Sequence, residues 1–282
     1  MHRHYTGYMI TMTRADDGCP LAVRELRPAA ASAPVVMLVH ALAMDGSMWQ
    51  RVVDALTGPA RVLALDCRGH GRSGKPAGPY TTKRFAEDIR QAADALGVES
   101  MVLGGCSMGG TVAQAFAGAW PERVRGLLLV DTTAWYGENA VHAWGNRAAT
   151  ALEEGFGALL AFQRERWFSP AFLEAHPEVL AEAVEIFKRN DPQAYASTCR
   201  MLGAADERLA IAKYRGPATI LAGEHDFATP PAMATDIAHR IPGARLAILP
   251  GARHFTPFEV PVPIARELDA LLTRTKTQEE IT

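Results

Sequence analysis

One serine lies between two glycines in the segment Gly105-Cys106-Ser107-Met108-Gly109, directly after the apolar run 101–105. The residues 111–117 that follow have the composition of a helix. A strand that turns into a helix within about four residues bends the backbone sharply at the serine. Glycine is needed on both sides, because a Cβ there would collide with the neighbouring turn. The pattern predicts a nucleophilic serine with an accessible hydroxyl; a simple glycine-rich turn with a capping serine is the alternative.

Composition limits the classes of protein to which the chain can belong. Its 282 residues fit one large α/β domain or a domain with an inserted lid. A formal net charge of −2 gives no reason to expect nucleic acid or an acidic membrane surface as a partner. No stretch approaches about 18 apolar residues without a charge, so no membrane span is predicted. We expect a small-molecule substrate, and either a monomer or a homodimer.

Four cysteines are scattered along the chain at positions 19, 67, 106 and 199. They have neither C-x-x-C spacing nor interleaved histidines, so no zinc site and no disulfide framework is predicted. The N-terminal seven residues lack the apolar region of a signal peptide. We therefore expect a soluble cytoplasmic protein that uses no metal and no cofactor.

Strand and helix patterns alternate in the first half of the chain and again near its end, which favours a mostly parallel sheet with helices on both faces. The exception is an antiparallel pair at the start, joined by a turn around Gly18. An eight-stranded sheet is predicted, with strands at 8–13, 21–26, 35–39, 61–65, 101–105, 124–130, 218–222 and 245–249.

Residues 134–210 differ from the rest of the chain, because they contain helical patterns and several aromatic residues but no convincing strand. We predict that they form a helical lid inserted into the α/β core. The predicted core domain then consists of 1–133 and 211–282.

A serine hydroxyl attacks at neutral pH only when a base accepts its proton, and the base is usually a histidine oriented by a carboxylate. In an open α/β sheet such groups lie after the carboxyl ends of strands. Asp226 follows the predicted strand 218–222, and His254 follows the strand 245–249. The chain order Ser107, Asp226, His254 is that expected for a serine on a strand-to-helix elbow.

Other residues compete for these roles. Asp131 also follows a predicted strand and is the alternative acid. His40 ends the strand 35–39 and is predicted to support loop geometry, whereas His225 is expected on the surface. Cys106 is a poor candidate nucleophile, because the sequence around it lacks the trailing glycine.

Acyl transfer also requires hydrogen-bond donors for the developing oxyanion. The backbone N–H of Met108, at the start of the elbow helix, is one candidate, and that of Leu42 in the loop after His40 is the other. A simple strand-to-helix connection is the alternative for this loop.

These motifs make the chain resemble the α/β-hydrolase superfamily over nearly its whole length. The resemblance rests on Val39-His40-Ala41-Leu42, on Asp66-Cys67-Arg68-Gly69-His70-Gly71-Arg72-Ser73, and on the segments around Ser107, Asp226 and His254. It implies the α/β-hydrolase fold and hydrolysis through an acyl-enzyme. One departure is the His-Ala-Leu-Ala loop, where relatives commonly have glycine, so Ala41 or Ala43 must adopt a conformation that glycine adopts more easily.

Within the superfamily the chain is most similar to the 3-oxoadipate enol-lactonases. The segments that carry this similarity are Asp45-Gly46-Ser47-Met48-Trp49, Arg166-Trp167-Phe168-Ser169-Pro170-Ala171-Phe172 and Ala222-Gly223-Glu224-His225-Asp226. The resemblance implies a substrate with a carboxylate, and Arg166, Trp167 and Trp135 are the candidate substrate-binding residues. A general carboxylesterase, a hydrolase of carbon–carbon bonds, a cofactor-free haloperoxidase-like esterase and a non-catalytic ligand-binding homologue are alternatives.

Overall fold

The computed structural model describes residues 8–279, so the first seven and last three residues of the predicted core lie outside it. Eight strands of these residues form one sheet in the order β1-β2-β4-β3-β5-β6-β7-β8. β2 pairs antiparallel with both β1 and β4, and the other pairings of the sheet are parallel, so the antiparallel pair at the start is as the sequence predicts. The strands are β1 (Met9–Arg14), β2 (Pro20–Arg27), β3 (Val35–Val39), β4 (Arg61–Leu65), β5 (Met101–Cys106), β6 (Val124–Val130), β7 (Ala218–Gly223) and β8 (Arg245–Leu249).

The helices connect these strands. Outside the stretch between β6 and β7 lie α1 (Gln50–Asp54), α2 (Thr82–Ala95), α3 (Met108–Ala119), α10 (Pro231–Arg240), α11 (Thr256–Glu259) and α12 (Pro261–Glu279). Between β6 and β7 lie α4 (Ala140–Glu153), α5 (Phe156–Trp167), α6 (Pro170–Ala175), α7 (Pro177–Lys188), α8 (Pro192–Ala204) and α9 (Arg208–Ile211). The helices α4 to α8 fall within the predicted lid and are called the α4–α8 segment below.

The central strands are apolar along their whole length because helices cover both faces of the sheet. Every residue of β5 and of β7 is buried. In the parallel register, Val39 of β3 pairs with Gly105, and Cys106 pairs with Val130 of β6. The carboxyl ends of these strands therefore lie side by side, and the loops that follow them share one edge of the sheet.

The backbone bends at Ser107 as the sequence predicts, but the bend is tighter than expected. Ser107 has a φ of 52°, and α3 begins at the very next residue rather than near 111. A Cβ on Gly105 would lie 2.2 Å from the carbonyl oxygen of Gly109, and one on Gly109 would lie 2.3 Å from that of Val39. Both glycines are thus required by close backbone contacts, which hold the serine at the edge of the sheet.

Other boundaries differ modestly from the prediction. Residues 46–54 form a 3₁₀ turn (Gly46–Trp49), which the Asp45 side chain caps, followed directly by α1. The short helix α9 lies at the end of the predicted helical region 134–210, and α11 directly precedes α12. None of the helices among the described residues is long and apolar enough to cross a membrane.

Candidate active site

Ser107, His254 and Asp226 come together at the carboxyl edge of the sheet. The Nε2 atom of His254 lies 3.0 Å from the Oγ of Ser107, and its Nδ1 lies 2.7 Å from the Oδ2 of Asp226. All three side chains are buried. Since a carboxylate only accepts hydrogen bonds, Nδ1 carries the proton, and Nε2 is left to accept the proton of Ser107.

The loop after β7 holds Asp226 as an anion. Its Oδ1 accepts hydrogen bonds from the backbone N–H groups of Ala228 at 2.7 Å and Thr229 at 3.0 Å. Its Oδ2 accepts a bond from the Thr229 hydroxyl at 2.8 Å, in addition to that from His254. Burial opposes ionisation, but the charge and hydrogen bond of His254 and the bonds from Thr229 outweigh it and lower the pKa of Asp226. The carboxylate is thus fixed in position and charged.

This carboxylate also changes the basicity of its partner. Burial disfavours the charged form of His254, yet the negative charge and hydrogen bond of Asp226 outweigh burial and raise the pKa of His254 above its ordinary value of 6.5. A raised pKa makes the imidazole a better proton acceptor, while leaving it neutral at alkaline pH.

Asp131, the alternative acid, lies next to the same loops but is bound to other groups. Its Oδ1 accepts a hydrogen bond from Gly223 N–H at 3.0 Å, and its Oδ2 accepts two bonds from Thr256, from the amide at 3.1 Å and the hydroxyl at 2.6 Å. Burial and the neighbouring charge of Asp226 raise the pKa of Asp131 to about 8. Asp131 therefore joins the end of β7 to the start of α11, and the carboxylate bound to His254 is that of Asp226.

The remaining alternatives have structural surroundings. Burial raises the pKa of the Cys106 thiol well above its ordinary range, so the thiol stays protonated. His40 accepts a hydrogen bond from Cys67 N–H at 2.9 Å through Nε2, so its Nδ1 donates to Ala41 carbonyl oxygen at 2.8 Å. His225 lies exposed beside Glu224.

The loop after β3 brings Leu42 to the cavity that contains Ser107, and Met108 directly follows Ser107 in the chain. Leu42 lines the cavity that contains Ser107, and Met108 is the first residue of α3, so its N–H has no partner within the helix. Ala43 has a φ of 60°, the glycine-like conformation that the departure from the family motif leads one to expect. Asn190 donates a hydrogen bond to the Ala43 carbonyl oxygen at 2.7 Å and so ties the end of α7 to this loop.

The cavity over Ser107 is small, and the α4–α8 segment forms a large part of its wall. Its volume is about 30 Å³, enough for about two waters. A substrate can therefore enter only if side chains or helices of this segment move. The lining residues that this segment contributes are Trp144, Arg147, Gln163, Arg166, Trp167 and Phe187.

The predicted substrate-binding residues have different positions. Trp167 lines the cavity and stacks on Phe255, with ring centroids 5.0 Å apart. Arg166 also lines the cavity but is exposed, with its guanidinium over the Phe162 ring. Trp135 packs against Arg208 at 4.0 Å and is not among the described residues that line the cavity.

Sequence reasoning missed three polar residues of this cavity, namely Tyr136, Arg147 and Gln163. A partial signal was present, because Trp144 and Arg147 are three residues apart and so share one face of α4. The same spacing describes residues of any packed helix, so it does not single them out. Within the described part of the chain, no group of three or more His, Cys, Asp or Glu side chains is arranged to hold a metal ion.

Comparison with known proteins identifies the family to which the chain belongs. The model of the alpha/beta hydrolase fold matches residues 34–261. The chain belongs to the α/β-hydrolase family. The sequence is 30% identical over 244 residues to 3-oxoadipate enol-lactonase 2 of Acinetobacter baylyi, covering 86% of this chain and 90% of that protein.

Solved structures show the same similarity. The enol-lactonase of Burkholderia xenovorans LB400 superposes with a TM-score of 0.88 at 33% identity, over 93% of this chain and all of that one. A thermophilic esterase from Thermogutta terrifontis, with malate bound, has a TM-score of 0.86 at 27% identity, over 96% of this chain and 99% of that one. The predicted fold and the predicted resemblance to enol-lactonases are confirmed.

Proposed function

We propose that this protein is a serine hydrolase that cleaves a small ester or lactone through an acyl-enzyme. The observation that carries the proposal is the continuous hydrogen-bonded chain from Ser107 through His254 to Asp226. No other described serine has a buried histidine and carboxylate in this order, and the relatives include lactonases and an esterase.

In the proposed mechanism, His254 Nε2 accepts the hydroxyl proton as Ser107 Oγ attacks the carbonyl carbon. Asp226 stabilises the imidazolium that forms, and His254 then gives the proton to the leaving oxygen. A water molecule next loses a proton to the same nitrogen and attacks the acyl-enzyme, which releases the acid and restores Ser107. For a lactone, the leaving oxygen stays attached to the acyl chain.

The N–H groups of Met108 and Leu42 are the proposed donors to the oxyanion. Met108 N–H lies at the N-terminus of α3, where the helix dipole also favours negative charge. The position of Leu42 N–H depends on the shape of the loop that contains Ala43, which has a positive φ and whose carbonyl oxygen accepts the bond from Asn190.

Asn190→Ala is expected to lower kcat by about 10-fold, because a loosened loop misplaces one oxyanion donor. Steady-state hydrolysis of a neutral ester measures the effect, with the midpoint of thermal unfolding followed in parallel. Asn139→Ala is the matched control, since Asn139 is exposed and its side chain does not cap α4. Equal kcat values for the two variants would contradict the proposed role of the loop.

The acid limb of the kcat/KM profile for a neutral ester is expected above pH 6.5, because only uncharged His254 accepts a proton and its pKa is raised by Asp226. Activity thus falls as the pH decreases through this pKa. The profile is measured at constant ionic strength with an uncharged substrate, so that only the enzyme titrates. An acid limb below pH 6.5 would show that Asp226 does not stabilise the imidazolium in the free enzyme.

The relatives favour an enol-lactone over a simple ester as the natural substrate. Two curated relatives, both from Acinetobacter baylyi, are 3-oxoadipate enol-lactonases, each 30% identical to this chain. A carboxylesterase acting on short acyl groups is the second candidate, favoured by the esterase neighbour at 27% identity. The four free cysteines support action in a reducing compartment such as the cytoplasm.

A hydrolysis screen tests the proposed function. Enol-lactones, saturated lactones and esters of increasing acyl length are compared at equal concentration, with Ser107→Ala as the blank. Turnover of enol-lactones well above the rest supports the lactonase, and preference for short esters supports the second candidate. Absence of turnover for every ester and lactone would refute both.

A further inference from the structure

The cavity over Ser107 contains a polar group that the proposed mechanism does not use, the hydroxyl of Tyr136. This hydroxyl is buried, belongs to a residue that lines the same cavity as Ser107 and His254, and has no hydrogen-bond partner among the described residues. Buried polar groups without a partner are rare in folded proteins, because each has lost its bonds to water and gained none in return. A substrate bound in the cavity can supply the missing partner.

The phenol of Tyr136 keeps its proton at neutral pH. Burial raises the pKa of Tyr136 to about 12, although the hydroxyl groups of Thr111 and Ser107 lower it in part. These two hydroxyls affect the pKa because they lie close to the phenol oxygen, so the end of the Tyr136 side chain faces the nucleophile. It is an uncharged hydrogen-bond donor at that position.

Tyr136 belongs to a loop that is bonded to the helix α3. The carbonyl oxygen of Thr133 in this loop accepts hydrogen bonds from the Thr111 hydroxyl and from the Gln114 amide group, each at 3.0 Å. The ring of Tyr136 packs edge-on against Trp144, with the centroids 5.1 Å apart. The hydroxyl is thus held next to the nucleophilic serine before a substrate binds, as a preorganised catalytic donor must be.

The order of the strands places Tyr136 and the oxyanion loop on opposite sides of Ser107. In the sheet, β3 lies on one side of β5 and β6 lies on the other. Ser107 follows β5, the loop with Leu42 follows β3, and Tyr136 follows β6. His254 follows β8, which lies beyond β6 and β7, so it approaches the serine from the same side as Tyr136. The oxyanion therefore forms toward the β3 side, and the oxygen that receives the proton of His254 lies toward Tyr136.

We infer that Tyr136 is a further catalytic residue, whose hydroxyl donates a hydrogen bond to the leaving oxygen as the scissile bond breaks. When the tetrahedral intermediate collapses, the carbon–oxygen bond breaks and its electron pair passes to the leaving oxygen. His254 Nε2 gives its proton to that oxygen, and Tyr136 keeps its own proton throughout. Such a donor lowers the barrier because it acts where negative charge develops. This inference rests on the proposed hydrolase function and assigns one more residue to its chemistry.

The contribution of Tyr136 is expected to depend on the acidity of the alcohol that leaves. An alkoxide is a stronger base than a nitrophenolate, so it accepts a stronger hydrogen bond. A nitrophenolate leaves readily without a donor, because its charge is spread over the ring. Tyr136→Phe is therefore expected to slow the cleavage of esters of weakly acidic alcohols most.

A series of esters with one acyl group and different alcohols tests the inference. The p-nitrophenyl, phenyl, trifluoroethyl and ethyl esters release alcohols of decreasing acidity, and all four form the same acyl-enzyme. Values of kcat/KM are compared, because they report on the steps up to loss of the alcohol. Tyr136→Phe is expected to lower kcat/KM by about 10- to 100-fold for the ethyl ester, the range of a hydrogen bond to a charged group, and by less than about 2-fold for the p-nitrophenyl ester.

The acyl group of the series is the one that the hydrolysis screen shows to be cleaved fastest. If the protein cleaves lactones alone, an enol-lactone and its saturated counterpart form the pair, since an enol is a stronger acid than an alcohol. Tyr136→Phe is then expected to slow the saturated lactone more than the enol-lactone.

Tyr214→Phe is the matched control. The hydroxyl of Tyr214 donates to the carbonyl oxygens of Val124 and Pro217, at 3.3 Å and 3.2 Å, and Tyr214 is not among the described residues that line the catalytic cavity. This variant is expected to change kcat/KM for all the esters by one common factor or not at all. The midpoint of thermal unfolding is measured for both variants, to verify that each is folded under the assay conditions.

The dependence of kcat/KM on the acidity of the leaving alcohol decides the outcome. A merely structural hydroxyl would lower kcat/KM for every ester by the same factor. That result, an unchanged rate for the ethyl ester, or a larger loss for the p-nitrophenyl ester would overturn the inference and leave the hydrolase standing. Absence of turnover throughout the screen, together with no labelling of Ser107 by a serine-directed phosphonate, would overturn the proposed function and this inference with it.

Discussion

Replacing Ser107 with alanine is expected to lower kcat/KM for esters and lactones by at least about 10⁴-fold. The variant keeps His254 and the cavity but has no atom that can form the acyl-enzyme. The substitution removes only the hydroxyl, and the backbone N–H of Ser107, bound to the Val130 carbonyl oxygen at 2.9 Å, is unaffected. The measurements are initial rates of hydrolysis and the midpoint of thermal unfolding.

The fold is expected to survive this substitution, so a loss of activity reports on chemistry. Cys106→Ala is the matched control, because the thiol lies next to the serine but is buried beneath the sheet edge and protonated. Cys106→Ala should still be labelled by a serine-directed phosphonate, with the adduct mapped to Ser107 by mass spectrometry. A Ser107→Ala protein that retains more than about a tenth of the activity would refute the assignment, since removing a nucleophile normally costs far more.

The fold was predictable because local and global signals agree in this chain. The strands β3, β5, β6 and β7 are short apolar runs between turn residues, as a sheet covered on both faces requires. The position of Ser107 followed from the steric demand at its two flanking glycines. Asp226 and His254 followed from their places after strands, because parallel strands end at one edge.

The substrate-facing wall was not predictable in the same way. Arg147 and Tyr136 belong to a segment in which cavity residues and packing residues share one helical spacing. Arg147 binds the hydroxyl of Tyr195 and, in the amide orientation that satisfies both groups, the side-chain oxygen of Gln163. These partners come from two other helices, α8 and α5, and spacing within one helix cannot show which helices pack against it.

Asp226→Asn is expected to lower kcat by about 10³- to 10⁴-fold while the protein remains folded. The amide oxygen can still accept the two backbone bonds from Ala228 and Thr229. Its NH₂ group then faces His254 Nδ1, so that nitrogen must accept a bond and the proton moves to Nε2. A protonated Nε2 cannot take the proton of Ser107. Single-turnover kinetics measures the acylation rate directly, and circular dichroism verifies the fold.

Asp131→Asn is the matched control for this variant, because Asp131 is an equally buried carboxyl at the end of the neighbouring strand. Near neutral pH it is expected to cost less than about 10-fold in kcat, since its contacts are with Gly223 and Thr256 rather than with His254. A larger loss for Asp131→Asn than for Asp226→Asn would reverse the two assignments. The comparison thus tests directly which carboxylate orients the base.

The pH dependence of the protein's stability tests the raised pKa of Asp131. Because the pKa of Asp131 is about 8 in the folded state and the ordinary value is 3.8, the folded protein binds the extra proton more tightly than the unfolded chain. This site therefore makes the wild-type protein less stable as the pH rises from about 4 to 8. The Asp131→Asn variant lacks this titrating group. The midpoint of thermal unfolding of the variant, minus that of the wild type, is therefore expected to increase as the pH rises from about 4 to 8. The lost hydrogen bond to Gly223 or Thr256 lowers stability by a constant amount, and a difference that does not change with pH would refute the raised pKa.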